Sequence, residues 1–130
     1  MPSAADATTT LLIRDLVLPA RIGVHAHERE GTQRIAISLE AAMRGAPPTN
    51  DRIREVLNYE LLVDGLRALV ADRHYHLVET LAERAAAMAL AQPTVTRVTV
   101  AVVKLDVYTD VAGVGVRIER ARPSAVEAAP

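Results

Sequence analysis

The sequence predicts an α+β domain in which a four-stranded antiparallel sheet carries two helices on one face. Three observations lead there. Apolar and polar residues alternate in "QRIAISLEAAMR" and again in "TRVTVAVVK", the period of half-buried strands. Between these stretches the apolar period lengthens, twice, to that of an amphipathic helix. The resulting order is strand, strand, helix, helix, strand, strand, so two hairpins enclose a helix pair.

Taken in order, "TLLIRDLVLPARIGV" is apolar with interruptions at Asp15 and Pro19, and reads as a strand that bends. In "QRIAISLEAAMR" Ile35, Ile37, Leu39, Ala41 and Met43 share one face, with Arg34, Ser38 and Glu40 on the other. "GAPPTND" breaks the pattern, since Pro47 and Pro48 cannot donate to a ladder. Tyr59, Leu62, Val63, Leu66, Leu69 and Val70 then fall on one face of a first helix, and Val78, Leu81, Ala82, Ala85, Met88 and Ala89 on one face of a second. "DRHYH" joins the helices and Pro93 marks the exit. "TRVTVAVVK" and "VGVRIER" supply the last two strands across the turn-like "YTDVAG". One domain is expected over residues 9–121, with frayed ends at 1–8 and 122–130.

Composition narrows the function classes. A chain of 130 residues is one domain by size. Its hydrophobic half is mostly Ala, Val and Leu, without Trp or Phe, so the core is shallow and self-association is expected to add burial. A net charge of −1 with no dense basic cluster argues against nucleic acid as a partner. The absence of cysteine excludes disulfides and thiol catalysis and fits a reducing cytoplasm. No signal-like start and no run of 18 apolar residues occurs, so a soluble, cytoplasmic protein without a membrane partner is expected.

Few residues stand out chemically. Lys104 shares its parity with Val98, Val100 and Val102, so it ends a strand on the valine face. There, lost solvation lowers a lysine's pKa and suits it to proton transfer, unless it snorkels to water. Glu79 lies in the first turns of the second helix, off the apolar stripe, where the helix dipole alone would account for a carboxylate. Tyr59 opens the first stripe, a place where tyrosine commonly packs with its hydroxyl reaching out. Glu28 falls in a loop, where a polar residue needs no explanation. His25/His27 and His74/His76 are spaced so that each pair could ligate zinc on an extended segment, or serve as soluble loop residues.

The stretches "IGVHAHERE", "VLNYELLV", "HLVETLAE", "VVK" and "GVGVRIER" resemble, in order and spacing, the bacterial dihydroneopterin aldolases, over about residues 11 to 121. The resemblance implies the tunnelling fold (T-fold), in which sheets of neighbouring subunits join into a ring, as a tetramer or a stacked octamer. Active sites then lie between subunits, and the open sheet edges are covered. It also implies roles. Glu28 is the loop glutamate and Tyr59 the tyrosine donated by the neighbouring subunit. Glu79, with the backbone of Val78 beside it, anchors the pterin, and Lys104 is the catalytic lysine.

The implied chemistry explains these residue types. A pterin presents an amino group and a ring N–H side by side, and one carboxylate accepts both. In 7,8-dihydroneopterin the ring's own C=N bond takes up the electrons released by carbon–carbon cleavage. No metal, cofactor or lysine imine is therefore implied, only proton transfer. Family members usually carry proline after the lysine; here Leu105 stands there, which is similar to the dihydroneopterin triphosphate epimerases. Epimerisation at C2′ of dihydroneopterin or its triphosphate is accordingly the alternative activity. A catalytically silent pterin-binding ring is a third reading, for which a lost lysine or glutamate would be expected.

Overall fold

The protein is described by a computed structural model covering residues 8–28 and 30–123. Strands β1 (Thr8–Ala20) and β2 (Gln33–Arg44) form the first hairpin. Helices α1 (Tyr59–Asp72) and α2 (Val78–Leu90) follow, then β3 (Val95–Lys104) and β4 (Val114–Ala121). The sheet order is β1-β2-β3-β4, antiparallel throughout, so β1 and β4 are both open edges. No helix among the described residues is long and apolar enough to cross a membrane.

The alternation in β2 and β3 places Ile35, Ile37, Leu39 and Ala41 beside Val98, Val100 and Val102, all buried, in one core with Leu62, Leu66 and Val70 of α1. Helix α2 buries Leu81, Ala82, Ala85, Ala86 and Ala89. Its alanines let its backbone approach β3 closely, at the cost of little buried area per residue. Asn58, two residues before Glu60, accepts the Glu60 N–H at 3.0 Å and so caps the start of α1.

The bend expected in β1 is a β-bulge. Ile13 pairs with Leu39 but Leu16 with Ile37, so β1 takes three steps where β2 takes two. The extra residue switches the inward parity, which is why Leu11 and Ile13, then Leu16 and Leu18, all pack on the core. Asp15 takes up a positive φ of 52° there, and its N–H donates to Ser38 Oγ at 3.0 Å.

Some expectations differ from what forms. Tyr59 does not join the buried stripe of α1: it is the helix's first residue and is 59% exposed. Thr8 is not frayed but begins β1, paired with Arg44; residues 1–7 lie outside the described ones. The last strand is held past its end as well. The Arg122 N–H donates to Thr96 O at 2.9 Å, and its guanidinium donates to Leu90 O and Gln92 O. Residues 124–130 again lie outside the described ones.

Candidate active site

The chain leaving β1 is fixed by the linker between the helices. Ile22 and Tyr75 form a parallel bridge: Tyr75 N donates to Arg21 O at 2.9 Å and Gly23 N to Tyr75 O at 2.8 Å. Tyr75 is fully buried and its hydroxyl donates to Leu69 O at 2.6 Å, tying the linker to the end of α1. His74 Nε2 meets Gly23 O at 2.8 Å. These contacts carry the start of α2, with Val78 and Glu79, to the same end of the domain as the β1–β2 loop.

That loop turns through a short 3-10 helix, Ala26–Glu28, and directs Glu28 inward. Among the described residues Glu28 is the one buried charged side chain, 7% exposed. Gly23 makes room for it. Its φ of +125° suits only glycine, and a Cβ there would collide with the Glu28 carboxylate. Three donors converge on the carboxylate: His25 N on Oε1 at 3.3 Å, Gln33 Nε2 on Oε2 at 2.9 Å, and the Lys104 ammonium on Oε2. The hydrogen bond from Lys104 is the largest cause, followed against it by burial and with it by Gln33, of a Glu28 carboxyl held at about 2 instead of 4.5. Glu28 is therefore an anion at any physiological pH.

Lys104 ends β3 opposite Ile35, on the valine face as its parity requires, and is 17% exposed. The bare apolar surround expected from sequence is corrected, since a carboxylate brought from 76 residues away meets the ammonium. An opening of about 230 Å³ is walled by Glu28, Gln33, Asp106 and Val107, with Lys104 behind Glu28 rather than in its lining.

Of the five residues singled out, Glu28 and Lys104 are in contact. Val78 is half-buried and Glu79 exposed, at the start of α2 near this end, and among the described residues Glu79 has no hydrogen-bond or ion-pair partner. Tyr59 is not brought to the pair. Leu57 shares a groove with Met43 and Thr94, at the start of β3. Lys104 lies at the far end of that strand, about 30 Å away at 3.3 Å per residue. Among the described residues no group of three or more His, Asp or Glu side chains is arranged to hold a metal. The His25 and His27 rings stack on each other at 5.6 Å, and His74 is engaged with Gly23.

Two residues escaped the sequence reading. Gln33 donates to Ile22 O at 2.6 Å as well as to Glu28; its parity with Ile35 and Ile37 would have placed it on the inner face. Tyr75 left only a weak signal, as an aromatic within a polar linker.

The family model described as Dihydroneopterin aldolase matches residues 11–119. A Burkholderia dihydroneopterin aldolase solved with guanine bound is 31% identical, with 92% of this chain and 95% of that one covered and a TM-score of 0.80. An Escherichia coli dihydroneopterin aldolase in complex with neopterin is 26% identical, covering 86% of this chain and 98% of that one, with a TM-score of 0.76. No curated protein sequence matches the chain. The ββααββ arrangement is that of the T-fold. With its fold, most of its length and its sequence pattern all matched, this chain belongs to the dihydroneopterin aldolase family.

Proposed function

We propose that the protein splits 7,8-dihydroneopterin into 6-hydroxymethyl-7,8-dihydropterin and glycolaldehyde, with Glu28 and Lys104 at the reacting end. The observation that carries the assignment is the ion pair they form with little exposure to solvent, its Glu28 member lining an opening. In the reaction a base takes the proton of the C2′ hydroxyl. The C1′–C2′ bond breaks, glycolaldehyde leaves, and the bonding electrons enter the ring's C=N bond. A proton delivered to C1′ balances the one removed. Lys104, a donor already aligned on a carboxylate, is assigned to moving these protons, and Glu28, an anion, to orienting it. The Glu79 carboxylate, without a partner among the described residues, is assigned to the pterin's amino and N–H edge. Guanine, bound by the Burkholderia relative, carries the same edge, which supports that assignment.

Tyr59 enters as the tyrosine of a second copy. Its position at the opposite end of the domain and the two open edges support a ring in which neighbours complete each other's sites. The test of the activity is to incubate the purified protein with 7,8-dihydroneopterin and follow both products. Appearance of the C2′ epimer in place of glycolaldehyde would assign the chain to epimerisation.

A further inference from the structure

We propose that Arg34 and Asp106 form a latch that positions Lys104 against Glu28; the proposal rests on the aldolase reading, because it concerns the same pair. Lys104 is the last residue of β3, and a strand end opens easily unless something ties it. Here the β2–β3 ladder runs one bond further: Leu105 N donates to Arg34 O at 3.0 Å. The Arg34 guanidinium then forks onto the Asp106 carboxylate, Nη2 to Oδ1 at 2.7 Å and Nε to Oδ2 at 3.2 Å. The Arg34 N–H reaches Oδ2 as well, at 3.3 Å. One residue thus holds both members of the segment that leaves the lysine.

The latch sits where the site's spacing is decided. Gln33, just before Arg34, and Lys104, two residues before Asp106, both donate to Glu28 Oε2. Two donors sharing one oxygen require the strand ends to keep a fixed separation, and the latch spans those ends. Beyond it, no helix or strand forms from 105 to 113, and Val107, Tyr108 and Val111 are exposed. The Arg34 and Asp106 side chains are 62% and 42% exposed, and such a pair adds little to global stability. Its effect is local. Asp106 walls the opening, but both of its oxygens are engaged by Arg34, so its carboxylate is assigned to positioning.

The test is a double-mutant cycle in the full chain, with Arg34→Ala, Asp106→Asn and the double variant assayed on 7,8-dihydroneopterin. Each single variant should lower kcat by about ten-fold through misplacement of the lysine, with KM within about two-fold. The double should lose no more than either single, the melting temperature should hold, and amide exchange at Leu105 should accelerate in all three. Losses that multiply in the double, an unchanged kcat, a raised KM, a lowered melting temperature or unchanged exchange at Leu105 would each overturn the latch. If the wild type turns over no dihydroneopterin, the functional reading fails and the exchange measurement alone decides.

Discussion

Replacing Lys104 by methionine keeps the aliphatic stem and removes the cation, which isolates what the ammonium does. Glu28 would keep its bonds from Gln33 and His25 but lose its strongest partner while remaining buried. A carboxyl held at about 2 instead of 4.5 corresponds to about 3 kcal/mol of preference for the charged form. Water in the adjoining opening screens the pair, so about 1–2 kcal/mol of that should appear as lost stability at pH 7. The sign follows from the lowered pKa. The stabilisation is complete above 4.5 and disappears as pH falls through about 2, so wild type and Lys104→Met should converge on acidification in that window. Urea titrations from pH 7 down to about pH 2 measure this directly. A wild type no more stable than Lys104→Met at pH 7, or a difference that ignores pH, would refute the pairing argument.

The same substitution should cut turnover by roughly 10²–10⁴-fold, the range for losing a general acid or base. Lys104→Arg should not restore it, because a guanidinium stays protonated and cannot accept a proton. Near-native turnover by Lys104→Arg would mean that position 104 supplies charge alone, with proton transfer passing to Tyr59.

Further outcomes follow from other parts of the site. Gly23→Ala should displace Glu28 and strain the backbone, costing about 1–3 kcal/mol; a urea midpoint matching wild type would show that the loop relaxes around the new methyl. Glu79→Gln should weaken neopterin binding by about 1.5–3 kcal/mol, since an amide nitrogen cannot accept from the ring N–H, and unchanged affinity by calorimetry would leave Glu79 a helix-surface residue. Tyr59→Phe and Lys104→Met subunits, each inactive alone, should regain part of the activity when unfolded and refolded together. A monomer in sedimentation at micromolar concentration would remove the shared site altogether. Turnover should survive chelation, because the substrate supplies its own electron sink; loss reversed by zinc would bring the two histidine pairs back into the chemistry.

The fold was legible because burial on one face imposes a period, and β2, β3, α1 and α2 each have one buried face. β1 resisted for a physical reason: its bulge at Asp15 switches parity mid-strand, so no single alternation runs from Leu11 to Leu18. The site divides along a similar line. Lys104 was found by parity, a local property. The burial of Glu28 was not, since it depends on Gly23, on Gln33 and on a lysine far along the chain, none of which periodicity couples to it.

One signal lay in plain sight. Fourteen of the fifteen basic residues are arginine, and Lys104 is the one lysine. Arginine supplies the same positive charge and serves better for bidentate pairs such as Arg34–Asp106, so a chain that uses it everywhere else has no need of lysine for charge. An ammonium differs in being able to give up its proton and take one back. A lone lysine at a strand end, facing a buried carboxylate, therefore points to proton transfer on composition and geometry together, independently of the family to which the chain belongs.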